Sequence, residues 1–156
     1  MELTADLSAP CAPDELFGWI DDLSQYPLWM GLVHRATPVD QQLLAPQLGD
    51  PNRPAWDVEL RARVGPLARS KRLTMVRTVR ELNSSVVFDR HESDGRKHSV
   101  WRLGARVEAV GTGSRLEMQL HYGGSLWTGG LMERVLSDEI KRSRDRLVRL
   151  IAETRL

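Results

Sequence analysis

Cysteine is nearly absent: Cys11 is the only one in 156 residues. One thiol can form neither an intramolecular disulfide nor a cysteine metal cluster. Lysine is also scarce, three against nineteen arginines, and no Lys or Arg precedes Arg35. A secretory leader begins with positive charge, so the N-terminus does not read as one and a cytoplasmic location is expected. No apolar run approaches the ~18 residues of a membrane helix, so no membrane span is expected. A nucleophile elbow, a phosphate loop, a His-Glu-x-x-His helix and an EF-hand loop are all missing. The four histidines, His34, His91, His98 and His121, lack metal-ligand spacing. Neither a metal nor another cofactor is expected.

What remains has the composition of a globular domain, 41% hydrophobic and 28% charged. The length suits one domain over residues 1–156 with a single core. Net charge is +1, but it is unevenly spread. Residues 1–34 carry six carboxylates and no Lys or Arg, and residues 35–156 carry 22 basic and 15 acidic side chains. The arginine excess reads either as phosphate recognition or as the imprint of a GC-rich coding genome. Because the arginines alternate with acids, they form no basic stripe, and nucleic acid is not expected as a partner.

Periodicity supplies the elements. Glu2–Ser8 alternates as a half-buried strand, ended by Pro10 and Pro13. Pro13, Asp14 and Glu15 suit a helix start, and Leu16, Phe17, Ile20 and Leu23 recur at helical spacing. Ser24 reads as the cap of a second short helix through Met30. Val33–Val39 is a candidate strand. Residues 40–54, with Pro46, Gly49, Pro51 and Pro54, read as a long loop, either a functional lid or an insertion without a role. Strands follow from Trp56 to Val64, Lys71 to Glu81, Ser85 to Glu92, His98 to Val110 and Arg115 to Tyr122. Asp94-Gly95 and Gly111-Thr112-Gly113 stand at hairpin turns. One face of each strand is apolar and the other polar, as in an antiparallel meander. From about Thr128 to Arg155, Met132, Leu136, Ile140, Ser143, Leu147 and Ile151 form one helical stripe on a helix of about 40 Å.

The expected architecture is α+β: a curved seven-stranded antiparallel sheet wrapped around a long C-terminal helix, with two short N-terminal helices. Side chains diverging from a curved sheet leave room beneath the helix, either for a ligand or for a solid core. The inward register places Trp56, Val58, Leu60, Met75, Phe88, Trp101, Leu103, Met118, Leu120, Tyr122, Met132, Leu136, Ile140 and Ser143 around that space. With Leu73, Met75 and Val79 inward, Arg77 is inward too. The same logic places Arg90 and Glu92 inward, unless they pair at the strand end and face water.

A resemblance sharpens the expectation. Ala12-Pro13, Leu16-Phe17, Asp22-Leu23 and Tyr26-Pro27-Leu28-Trp29 resemble the N-terminal pattern of the START/Bet v 1-like (SRPBCC) superfamily, in its bacterial polyketide cyclase/dehydrase branch. Ala12-Pro13 stands one residue closer to Leu16-Phe17 than that pattern has it. The resemblance extends over the whole chain and implies the helix-grip fold. For function it implies a hydrophobic small molecule as partner, a lipid, isoprenoid or polyketide held in an internal cavity for transport or sensing. The alternative is a polyketide aromatase/cyclase acting on a poly-β-ketone, with Tyr122, Arg77 and Arg90 as candidate catalytic groups. Residues 40–54 and 123–130 would gate access. A monomer or a homodimer is expected, and a third alternative is a protein-binding module.

Overall fold

A computed structural model describes residues 2–40, 53–64, 66–92, 94–123 and 130–154, without the side chains of residues 64, 67, 130–133 and 136. The chain opens with strand β1 (Glu2–Ala9), helix α1 (Pro13–Gly18) and a 3-10 turn (Leu23–Leu28). Strands β2 (Val33–Pro38), β3 (Ala55–Val64), β4 (Leu67–Glu81), β5 (Ser85–Arg90), β6 (Trp101–Val110) and β7 (Gly113–Tyr122) follow, then helix α2 (Gly130–Thr154). The spatial order β1-β7-β6-β5-β4-β3-β2 is a meander whose far edge is closed by β1. All neighbours are antiparallel. The sheet curls into a half-barrel around α2, the helix-grip fold.

The alternation seen in the sequence becomes one continuous inner face. Trp56, Val58, Leu60 and Ala62 of β3 are buried, as are Leu73 and Met75 of β4 and Val86 and Phe88 of β5. Trp101, Ala105 and Val107 of β6 and Leu116, Met118, Leu120 and Tyr122 of β7 complete it. Across this face α2 presents Ser143, Leu147 and Ile151, all buried.

Two local expectations are corrected. The first helix stops at Gly18, short of Ile20 and Leu23, and the cap of the following turn is Asp22, whose carboxylate accepts from the Ser24 backbone N at 2.9 Å. Glycine weakens the helix at that point, and the Asp22 cap restarts the chain in a new direction. The second correction concerns β4. A bulge between Arg77 and Val79 shifts the pairing with β5, so Val79 lies opposite Val87 and is 38% exposed. An extra residue in one strand reverses the facing of the residues beyond it. Arg77, which precedes the shift, pairs with Phe88 and keeps the inward register.

The uneven charge is a tie between the N-terminal segment and the rest. Asp6 meets Arg115 at 2.9 Å and Asp21 meets Arg80 at 3.0 Å. Arg144 and Arg146 of α2 donate to the backbone oxygens of Asp6 and Trp29. The edge pair β1·β7 also needs a glycine. A Cβ on Gly113 would stand 2.5 Å from the Ala9 carbonyl oxygen, a backbone atom with no rotamer to escape through. Gly113→Ala is therefore expected to cost about 1–3 kcal/mol, read as a lowered urea midpoint. An unchanged midpoint would mean that the β1 end yields freely.

Candidate functional site

Between the inner face and α2 lies a cavity of about 60 Å³. Every strand of the sheet except β5 contributes to its wall: Leu3 and Ala5, Val33, Val58 and Leu60, Leu73 and Met75, Trp101 and Leu103, and Met118 and Leu120. Leu23, Met30 and Leu32 from the N-terminal connection and Ile140 of α2 complete it. Among the described residues the lining is apolar throughout. The volume is far below the roughly 300–1,000 Å³ of ordinary ligand sites. A lipid-sized occupant therefore requires the wall to repack. Met30, Met75 and Met118 are the adaptable elements, because an unbranched thioether side chain fills irregular space in several rotamers.

The sequence-predicted lining residues divide into three groups. Val58, Leu60, Met75, Trp101, Leu103, Met118, Leu120 and Ile140 line the cavity. Trp56, Phe88, Tyr122 and Ser143 are buried but are not in its wall. Phe88 packs edge-on against Trp56 and Tyr26, with ring centroids 5.5 and 6.0 Å away. Ser143 borders a smaller neighbouring space, and its hydroxyl donates to the Glu139 carbonyl one helical turn back. The side chains of Met132 and Leu136 lie outside the described residues, as do residues 41–52 of the long loop and 124–129 of the expected hinge. Leu3, Ala5, Leu23, Met30, Leu32, Val33 and Leu73 also line the cavity. For Leu3 and Ala5 the alternation of β1 was the available signal.

The Tyr26-Pro27-Leu28-Trp29 motif is a packing device. The Tyr26 hydroxyl donates to the Ile20 carbonyl at 2.8 Å, and Trp29 Nε1 donates to the Trp19 carbonyl at 3.2 Å. Burial, with a smaller contribution from Asp21, pushes the Tyr26 phenol far above its ordinary pKa. It stays protonated as a donor and ties the 3-10 turn to the segment just after α1.

The three candidate catalytic groups sit in different settings. Tyr122 is 2% exposed and stacks on Trp101 at 5.1 Å between ring centroids. Arg77 donates to the Asp21 carbonyl at 2.9 Å, under the N-terminal connection. Burial first, then the neighbouring Arg80, lowers its pKa from the ordinary arginine value, against the pull of Asp21 and Asp22. Arg90 lies at the opposite end of β5 from the Ser85 turn. It pairs with Glu92 at 2.9 Å, yet the two side chains are only 9% and 18% exposed. The pair forms as one reading of the sequence had it, but it is largely withdrawn from water.

Around Arg90 the structure assembles a polar pole that periodicity did not reveal. Arg90 NH1 donates to the backbone and side-chain oxygens of Ser99, at 3.3 and 3.2 Å, and NH2 lies 3.3 Å from His98 Nδ1. Lys71 Nζ donates to Ser99 Oγ at 3.3 Å and sits 5.6 Å from the centre of the Trp101 indole. An open cleft of about 210 Å³ is lined by Arg90, Glu92, His98, Ser99 and Trp101. Trp101 belongs to both this cleft and the apolar cavity. Among the described residues, no group of three or more His, Cys, Asp or Glu is placed to hold a metal ion. No described helix is long and apolar enough to cross a membrane.

Comparison with known structures gives the same fold over nearly the whole chain. A START superfamily protein from Mycobacterium smegmatis is 13% identical, with a TM-score of 0.66 and 98% of each chain covered. The AHSA1 protein from Silicibacter pomeroyi is 18% identical, with a TM-score of 0.61 and 99% of each chain covered. Ara h 8.0201 is 10% identical, with a TM-score of 0.60 and 98% of each chain covered. A search of curated protein sequences finds no match. The family model described as "Polyketide cyclase / dehydrase and lipid transport" matches residues 2–152. The chain therefore belongs to the polyketide cyclase/dehydrase and lipid-transport family, a membership that implies binding of a hydrophobic ligand.

Proposed function

We propose that this protein encloses a single hydrophobic small molecule, a lipid, isoprenoid or polyketide, between the sheet and α2, and that it acts as a carrier or sensor for that molecule. The observation that carries the reading is the cavity wall: side chains from six strands, the N-terminal connection and α2 converge on one space whose lining, among the described residues, is apolar. Burial of apolar ligand surface at about 25 cal/mol per Å² supplies most of the affinity. The methionines supply the room. A cyclase requires groups that orient carbonyls and move protons at the substrate. Of the candidates, Arg77 is engaged by the Asp21 carbonyl, Tyr122 stacks on Trp101 outside the lining, and Arg90 pairs with Glu92 and donates to Ser99. This arrangement favours holding a ligand over transforming it.

Titration with N-phenyl-1-naphthylamine, an uncharged dye that brightens in apolar surroundings, tests the reading. The expected result is saturable enhancement with one dye per chain. Dye fluorescence that stays at its value in buffer would refute an accessible apolar interior.

A further inference from the structure

We propose that Lys71 and Ser99, backed by Arg90, recognise the anionic head of an amphipathic ligand, a carboxylate at the end of an apolar chain that occupies the cavity. The inference rests on the reading of the cavity as a ligand site and adds the class of ligand to it.

The geometry begins with strand lengths. Strand β5 ends at Arg90, opposite Met75, while β4 extends back to Leu67. At the level of Lys71 the sheet therefore lacks β5 between β4 and the segment leading into β6, and Lys71 reaches across that gap to Ser99 and Trp101. Lys71 is paired with Leu60, a cavity-lining residue, and cross-strand partners share a face. Its ammonium thus lies on the inner side of the sheet. Trp101 forms part of the cavity wall and part of the cleft that Arg90 and Ser99 line, and Lys71 approaches that junction through Ser99 Oγ and the face of the Trp101 ring.

The cleft also holds Asp89 and Arg96, so its charges are close to even, but its carboxylates are engaged by partners other than Lys71: Asp89 accepts from Thr78 Oγ1 at 2.7 Å and meets Arg102 at 3.4 Å. The Glu92 carboxylate is committed: its Oε1 accepts from Arg90 Nε at 2.9 Å and from the Thr74 backbone N at 3.0 Å. Asp94 accepts from His98 Nε2 at 2.9 Å and from the Arg96 backbone N at 3.0 Å. Among the described residues no carboxylate lies within ion-pair distance of Lys71. An ammonium carries three donors, and Ser99 takes one of them. Burial, and next the positive charge of Arg90, lower the Lys71 pKa from its ordinary value, with Glu92 opposing. A carboxylate placed at Nζ offsets both effects and accepts a charge-assisted hydrogen bond. A neutral head leaves Lys71 beside Arg90 with no carboxylate of its own among the described residues.

Calorimetric titration with dodecanoate, dodecan-1-ol and acetate, on the wild type, Lys71→Met and Lys71→Arg, tests the assignment. Dodecanoate is expected to bind at least about ten-fold tighter than dodecan-1-ol to the wild type, a difference of one charge-assisted contact. Lys71→Met is expected to erase the preference, and Lys71→Arg to keep it. Equal affinity for acid and alcohol, or a preference that survives Lys71→Met, would overturn the head-group assignment and leave the cavity reading standing. Acetate binding as tightly as dodecanoate would overturn it too, by showing an anion site with no role for the chain. If neither twelve-carbon probe binds, the cavity reading falls and the head-group assignment with it.

Discussion

Phe88→Ala is expected to cost about 3–5 kcal/mol of stability, a large fraction of what holds a domain of this size together. The ring is fully buried and joins the inner face of the sheet to the N-terminal connection. Its edge-on contacts with Tyr26 and Trp56 extend to Trp29, which packs on Tyr26 at 4.9 Å. Removing the ring leaves a void bounded by residues that are themselves fixed. Tyr26 is held by its bond to Ile20, and Trp56 by its place in β3. The site is thus poorly able to collapse, which places the cost high in the usual range. Domains of this kind are stable by only about 5–15 kcal/mol. The urea midpoint should fall sharply with an unchanged slope. A loss below about 1 kcal/mol would show that the aromatic row tolerates a hole, and that the N-terminal connection is not held as described.

Arg90→Met is expected to destabilise by about 2–3 kcal/mol, through a different cause. The guanidinium is nearly buried and serves Glu92, Ser99 and His98 at once. Without it Glu92 retains its bond from the Thr74 backbone but loses its counter-charge in a site only 18% exposed. Much of the cost is that stranded carboxylate, because a charge left alone in a poorly hydrated place costs more than the pair contributed. The double variant Arg90→Met with Glu92→Leu should therefore recover a large part of the loss, a coupling that unfolding of the four proteins of the cycle measures directly. Strict additivity would show that the two side chains act independently and that Arg90 matters mainly through Ser99 and His98.

Much of the fold is legible in patterns that need no tertiary knowledge. Trp56, Val58, Leu60 and Ala62 alternate without interruption, and a period of two on one face admits a single inward set. The stripe through Ile140, Ser143, Leu147 and Ile151 is equally plain, and Ser143, Leu147 and Ile151 are buried where it places them. Periodicity misleads where one residue changes the register or one cap redirects the chain. Val79 looks inward by counting and is turned outward by the bulge beside Thr78. Ile20 and Leu23 look like a continuation of α1, but Gly18 and Asp22 divide the segment into two pieces.

The site was legible in part for the same reasons. Alternation found the apolar wall, since each strand declares its own face. It did not find the Lys71 pole, because that depends on where β5 stops relative to its neighbours. His98 and Ser99 read as the start of β6, whereas the strand begins at Trp101 and the preceding residues fold toward Arg90. No periodicity within one segment encodes such a gap. The hydroxyl of Ser143 is the converse case: its inward position was legible, but its bond to the Glu139 carbonyl was not.

The central claim is that the space between sheet and α2 holds one hydrophobic molecule. Native mass spectrometry of the protein as purified, and again after incubation with dodecanoate, measures this most directly. The account predicts a chain carrying one small molecule that organic solvent releases, or a bare chain that takes up a single dodecanoate. A bare chain that remains bare in the presence of dodecanoate would contradict it.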